Sequence, residues 1–366
     1  VAKLDLKNLE NAPLANFAFD YQVSLAGQVF SKQKSQTDAK GQVEFKFNLP
    51  KNLATNDGLV NVLLQYHGQG ESISRSIPIV LNKMDLQFFP EGGDLTAGFE
   101  QRVAFKALNE FGKPADVEGH ILNENGAIVS RFKSYHQGMG AFTLKAFSGD
   151  KYMAKITKPQ NIAGEFPLPE VLEKGNVMQV VDLDEDRVQV KVQNVDDESL
   201  TLVLQSQGKI YNSISTSANA GVHLLEISTK DAPIGLAQLT LFDNQERPHA
   251  ERLVFLNKDK TLDISITTDK DQYLPREKVR MKIEVKDEDG KPVKGNFSVG
   301  VTDDKLLSFA DDKQGKMLAY LLLESDLKGA IEEPNFYFEP KEKHADKDQN
   351  LALDYLLMTH GWRRFT

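Results

Sequence analysis

The chain has 366 residues, of which 44 are basic and 53 acidic, giving a formal net charge of −9. That length supports about two to four domains, each with a core of its own, and the acidic balance argues against nucleic acid as the main partner, because phosphate binding needs a basic face. Cysteine is absent, which excludes disulfides, thiolate nucleophiles, cysteine zinc sites and thioester chemistry and fits a cytosolic or Gram-negative envelope protein better than a disulfide-stapled secreted one.

The sequence opens at Val1 with neither an initiator methionine nor a charged-then-apolar leader, so it is expected to be a processed or excised piece. Residues 1–83 predict a first module. Phe17, Phe19, Tyr21, Val23 and Leu25 alternate with polar neighbours, which puts five large side chains on one face of a strand. Val43, Phe45, Phe47 and Leu49 repeat the pattern until Pro50, which cannot donate to a ladder, and Val60 to Tyr66 and Ile73 to Val80 follow. Residues 84–157 predict a second module, in which Leu86, Phe88 and Phe89 lead into the turn Pro90-Glu91-Gly92-Gly93, and Val103, Phe105 and Ala107 alternate up to Gly112-Lys113-Pro114.

The proline-rich stretch from Lys158 to Pro169 predicts a joint. A third module, 158–258, carries Val188, Val190 and Val192, then Leu200, Leu202 and Leu204, and a fourth, 259–366, repeats the alternation in Met281, Ile283 and Val285 up to Gly290-Lys291-Pro292. Short strands with one wet face each, punctuated by turns, are what two-sheet antiparallel sandwiches require. The end of the chain reads differently. Lys305 to Phe309 and Met317 to Leu323 suggest helix, Asn335 to Pro340 an aromatic loop, Lys341 to Asp348 a charged loop, and Leu351, Tyr355 and Met358 one face of a terminal helix capped by Gly361. The longest apolar run, Met317 to Leu323, is far short of the roughly 20 residues of a membrane helix.

Tyr273-Leu274-Pro275-Arg276-Glu277, the alternating strand after it and Gly290-Lys291-Pro292 resemble the macroglobulin domains of the α2-macroglobulin superfamily, its MG2-type domain in particular. The stretches Asp85 to Ala107, His136 to Phe142, Leu239 to Phe255, Ser325 to Phe338 and Leu357 to Phe365 are similar to a family of Gram-negative envelope proteins. In that family such domains are often followed by a carboxypeptidase-regulatory-like domain and a TonB-receptor plug domain. The resemblance implies an all-β string of tandem immunoglobulin- or fibronectin-like antiparallel sandwiches with a short helical C-terminal segment, associated with the outer membrane through other parts of the chain or through partners. The Cys-Gly-Glu-Gln thioester of trapping macroglobulins is missing, and so is any plug or barrel sequence.

No nucleophile elbow, zinc-protease helix, phosphate loop or dinucleotide fingerprint is present, so no catalytic residue, cofactor or metal ligand is assigned. Acidic groups at Asp182, Asp184, Glu185 and Asp186, at Asp196, Asp197 and Glu198, and at Asp287, Glu288 and Asp289 lack the spacing of a calcium loop and read better as hairpin turns. The candidate interaction residues are Phe88, Phe89, His136, Trp362, Arg363 and Arg364. Each has a plainer reading: Phe88 and Phe89 as strand residues packed on a neighbouring module, His136 as a turn histidine, and Trp362 with its arginines as packing for the terminal helix. The expected role is a non-catalytic scaffold or binding protein of the cell envelope, whose partner is an outer-membrane transporter or assembly component. Two alternatives stand beside it: a macroglobulin-type protease inhibitor whose bait segment is 341–350, and a hydrolase with an unrecognised carboxylate site.

Overall fold

A computed structural model of the chain describes all residues except 1, 9–11, 51–52, 54, 56, 67–68, 78, 80–82, 161, 163, 185, 259, 303–315, 341–343, 345–346 and 366. Lys305 to Phe309, expected as helix, thus lie outside the described residues, as does most of 341–346. The described chain is mostly β, in several antiparallel sheets, with its helices confined to the C-terminal segment.

The first sandwich contains β1 (Ala2–Asp5), β2 (Ala18–Leu25), β3 (Gln28–Gln36), β4 (Gln42–Phe45), β5 (Gly58–Tyr66) and β6 (Gln69–Ser76). One sheet has the order β3-β2-β5-β6, and β1 pairs with β4 across from it. The alternation on β2 buries Phe19, Tyr21 and Val23 against Val60, Val62 and Leu64 of β5, with Phe45 of β4 laid on Tyr21 at 4.3 Å between ring centroids. Each such side chain taken from water contributes about 1.5–3 kcal/mol. Strand β3, QVFSKQKSQ, was not expected. It is an edge strand exposed or half-exposed along its length, so its sequence carries no apolar period.

The second sandwich is built from β7 (Met84–Pro90), β8 (Leu95–Thr96), β9 (Glu100–Asn109), β10 (Glu118–Asn123), β11 (Ile128–Lys133), β12 (Met139–Lys145), β13 (Tyr152–Lys158), β14 (Phe166–Pro167) and β15 (Val171–Leu172). Sheet β12-β9-β7 faces sheet β11-β10-β13-β14, and Phe88, Phe105 and Phe142 from the first meet Phe132 from the second. The proline-rich stretch expected as a joint is drawn into this sandwich. Phe166 and Leu168 belong to its core, β14 pairs with β13, and β15 runs parallel to β8.

The third sandwich has β16 (Val177–Leu183), β17 (Arg187–Asn194), β18 (Thr201–Ser206), β19 (Lys209–Ser215), β20 (Gly221–Ser228), β21 (Gly235–Phe242) and β22 (Pro248–Leu256), in sheets β16-β17-β20 and β19-β18-β21-β22. Val188, Val190 and Val192 pack on Leu202, Leu204, Leu239 and Leu241, all completely buried.

Beyond it, β23 (Asp263–Thr268) and β24 (Met281–Lys286) form an antiparallel hairpin. The motif residues shape its connection: Tyr273 donates its hydroxyl to Asp269 at 2.6 Å, and Glu277 accepts from the Leu274 amide at 2.9 Å. A short α-turn (Met317–Ala319) runs into a π-turn (Tyr320–Glu324), followed by a 3-10 turn (Pro334–Phe338) and the terminal helix (Gln349–His360). Asp348 caps that helix, accepting from the amides of Asn350 and Leu351. Gly361 follows it as the C-terminal cap with φ −98°, and its amide reaches the Leu357 carbonyl at 3.2 Å.

This C-terminal segment packs on the second and third sandwiches. Leu323, Leu327, Ile331, Phe336 and Tyr337 join Ala352, Leu353, Leu356 and Leu357 in one buried cluster with Met139 of β12, Leu236 of β21 and Phe255 of β22. The expected aromatic loop is thus a core element. The helix buries Ala352, Leu353, Leu356, Leu357 and Met358, whereas Leu351 and Tyr355 of the expected face are half-buried. It lies between two sandwiches, so more than one face is covered.

Candidate interaction site at the three-way junction

The turn after β7, strand β22 and the terminal helix meet in one place, and the residues there follow from the crowding. On β7 successive side chains alternate, so Phe88 turns into the sandwich core while Phe89 turns outward to the tail, edge-on to Trp362 with 5.7 Å between centroids. The Trp362 indole N–H donates to the Pro90 carbonyl at 2.9 Å. Gly92 (φ +86°) lies under β16, where a Cβ would sit 2.7 Å from the Met178 carbonyl oxygen, and Gly93 (φ +122°) lies under the tail, 3.1 Å from the Arg363 carbonyl oxygen. Both positive φ values and both close approaches demand glycine.

Between these glycines and the helix lies a ring of four charges. Glu91 is fully buried. Its Oε1 accepts from Arg252 Nε at 3.0 Å and from the Val180 amide at 3.1 Å. Its Oε2 faces Arg102 Nε at 3.2 Å as an ion pair without hydrogen-bond alignment. Asp354, on the helix, closes the ring by accepting from both Arg102 and Arg252. Burial raises the Glu91 carboxyl above its ordinary value although Arg252 and Arg102 pull it down. For Asp354 burial also pushes upward, but the same two guanidiniums prevail and hold it below the usual carboxylate range. The ring sums to zero charge, which is the condition for burying Glu91 and Arg252 fully and Arg102 and Asp354 in part.

Outside this ring, Arg363 pairs with Glu251 at 3.2 Å and Arg364 with Asp94 at 2.6 Å, both arginines exposed. His136 is elsewhere, at the far side of the terminal segment. It is buried, stacked on Phe336 at 3.9 Å and edge-on to Tyr337, and neither ring nitrogen has a hydrogen-bond partner among the described residues. Burial, with Lys347 and His344 nearby, pushes it down to about 3, so the ring is neutral.

Five of the six candidates therefore gather at or beside the junction, while His136 belongs to the neighbouring apolar cluster. Glu91, Arg102, Arg252 and Asp354 were not singled out from the sequence. A signal was there: Arg102 on β9, Arg252 on β22 and Asp354 on the helix are each set among buried apolar residues, and an ion in such a place needs a counter-ion. The acidic groups of the hairpins serve their own turns. Asp184 accepts from the amides of Asp186 and Arg187, Asp287 from those of Asp289 and Lys291, and Asp243 from those of Gln245 and Arg247. No group of three potential ligands that could hold a metal occurs among the described residues.

No family model and no curated protein matches the chain. Among solved structures it is similar to Salmonella alpha-2-macroglobulin reacted with methylamine (12% identity, TM-score 0.33, covering 78% of this chain and 24% of that one). It is also similar to domains 4–9 of the surface layer protein SbsC (14%, 0.29, covering 79% and 48%) and to the Escherichia coli adhesin FdeC (12%, 0.24, covering 69% and 90%). The chain spans about a quarter of the first and about half of the second.

Proposed function

We propose that this chain is a non-catalytic, extracytoplasmic scaffold of the bacterial outer membrane, made of macroglobulin-like units in series, which presents its sandwiches to an outer-membrane transporter or assembly protein. The observation that carries this reading is the contrast in construction along the chain. The junction ties two sandwiches and the C-terminal segment into one block, while the hairpin of the fourth unit keeps Ile264, Ile266, Met281 and Ile283 between 38% and 57% exposed. A rigid block followed along the chain by an open apolar hairpin is suited to hold a protein partner, since exposed apolar patches mark interaction sites. Phe89 and Trp362 fix the tail from inside, and Arg363 and Arg364 tie its outer edge to Glu251 and Asp94. A pull-down from detergent-solubilised envelope tests the reading, with the whole chain as bait and an Ile264→Ser/Ile283→Ser variant as control. Recovery of transporter or assembly components by the parent and their loss in the variant is the expected result. Recovery of proteases, or of the same set by both baits, refutes it.

A further inference from the structure

Between β9 of the second sandwich and the docked C-terminal segment lies a cavity of about 160 Å³. Its polar lining is biased toward donors. The Lys106 ammonium lies 3.0 Å from His360 Nε2, its only hydrogen-bond partner among the described residues. Burial, with Lys106 beside it, pushes His360 down to about 4, so the ring is neutral and Nε2 accepts. Asp85 acts on the lysine's charge from a distance, and the ammonium's other two N–H groups have no hydrogen-bond acceptor among the described residues. Tyr337 also lines the cavity. It is completely buried, and its hydroxyl has no partner among the described residues. The acid in the lining, Glu332, is already paired with Lys113 at 2.7 Å, and the Gln137 amide donates to Glu333 at 3.2 Å. Leu108, Ile331 and Leu356 supply apolar wall.

A cationic donor with hydrogen-bonding capacity to spare and a buried hydroxyl without an acceptor among the described residues, beside an apolar wall, describe a receptor for an anion with a hydrocarbon body. A void of about this volume holds one benzene ring, so there is no room for a nucleotide or a peptide. We propose that this cavity binds a small monocarboxylate with a compact apolar body, its carboxylate bridging Lys106 and Tyr337 and its body lying on Leu108, Ile331 and Leu356. Ionised acceptors make the stronger hydrogen bonds, so the carboxylate is preferred over an alcohol of the same shape. Because half of the wall comes from the C-terminal segment, the ligand also links that segment to the second sandwich and stabilises its docking by mass action.

The test uses the whole chain at neutral pH and benzoate as the probe, with benzyl alcohol as its uncharged counterpart and acetate as the carboxylate without a body. Binding is read by isothermal titration and by the shift in Tm. Benzoate is expected to bind saturably, and benzyl alcohol and acetate each to bind at least roughly tenfold more weakly. Tyr337→Phe removes one oxygen and Lys106→Met keeps the stem; each is expected to weaken benzoate roughly tenfold. Lys133→Ala, a surface change in the same sandwich, should leave binding unchanged and controls for bulk ion effects. Tyr337→Phe also guards against misfolding, since it fills the same space. No saturable benzoate signal up to about 10 mM, a range in which contacts of this kind would register, equal binding of benzyl alcohol, or unaltered binding in Tyr337→Phe overturns the proposal.

Discussion

At the junction, four charged side chains sit among buried apolar neighbours. On β23 and β24 the same alternation that builds the other sandwiches leaves isoleucines and a methionine in water. Both regions carry the strand pattern, and they differ in what covers it. The ring of Glu91, Arg102, Arg252 and Asp354 is closed by four chain segments arriving together, so it records an assembly within the chain. The hairpin has no such cover among the described residues, and its apolar positions remain available. A periodic strand therefore announces a buried face without saying which part of the molecule will bury it.

The sharpest way to break this contrast is to unbalance the ring. Glu91→Leu leaves Arg102 and Arg252 facing one carboxylate and the Val180 amide without its acceptor, and removing one member of a buried ion pair costs about 3–5 kcal/mol. Urea unfolding is expected to show that loss for the second and third sandwiches. A loss below about 1 kcal/mol would mean that water replaces the carboxylate with ease.

Acid should loosen the same block from the other side. His136 and His360 are pushed down to about 3 and about 4 from 6.5. Lys347 and His344 beside the first and Lys106 beside the second disfavour the protonated ring, in the same sense as burial. The fold thus binds these protons more weakly than the open chain does. The histidines take nothing from stability well above pH 6.5, and stability falls as the pH drops from there toward 4. At pH 5 the loss is about 2 kcal/mol for each. The protection factors of the terminal helix, which divide out the intrinsic pH dependence of amide exchange, are expected to fall between pH 7 and pH 5, and His136→Phe to flatten that dependence.

A smaller effect is expected at the double glycine. Gly92→Ala brings a Cβ to 2.7 Å from the Met178 carbonyl at a φ of +86°, and strain of this kind costs about 1–3 kcal/mol. Thermal unfolding measures it. Ile266→Ser on the open hairpin should change stability by no more than about 0.5 kcal/mol, as exposed substitutions do, while still lowering capture of the partner. A loss above about 2 kcal/mol, the scale of a buried side chain, would show that this face is covered in solution.

Strands such as Ala18–Leu25 and Arg187–Asn194 were legible because each has one wet and one dry face. Gln28–Gln36 was not, since an edge strand held by its backbone ladder and by polar side-chain contacts such as Tyr21 to Gln33 leaves no apolar rhythm. Phe166-Pro167 and Val171-Leu172 are too short to show a period, and their places come from partners up to 76 positions away, as in Val171 beside Leu95. At the candidate site, Phe89, Trp362 and the glycines were visible as unusual residue types. The ring was hidden because its four members come from four separate stretches, and a lone charge in an apolar element does not say which other one it will meet.

The helix that closes the ring comes to it late along the chain. Arg102 meets Asp354 across 252 residues, and the Pro90 carbonyl meets Trp362 across 272. Contacts so distant form after the local ones, because the long loop must close first. A chain emerging from its N-terminal end therefore completes two sandwiches while their shared surface is still open, with Met139, Phe255 and three of the four charges facing water. During synthesis that surface is the natural place for a chaperone to hold or a protease to cut. Pulse proteolysis during refolding is expected to find it protected last.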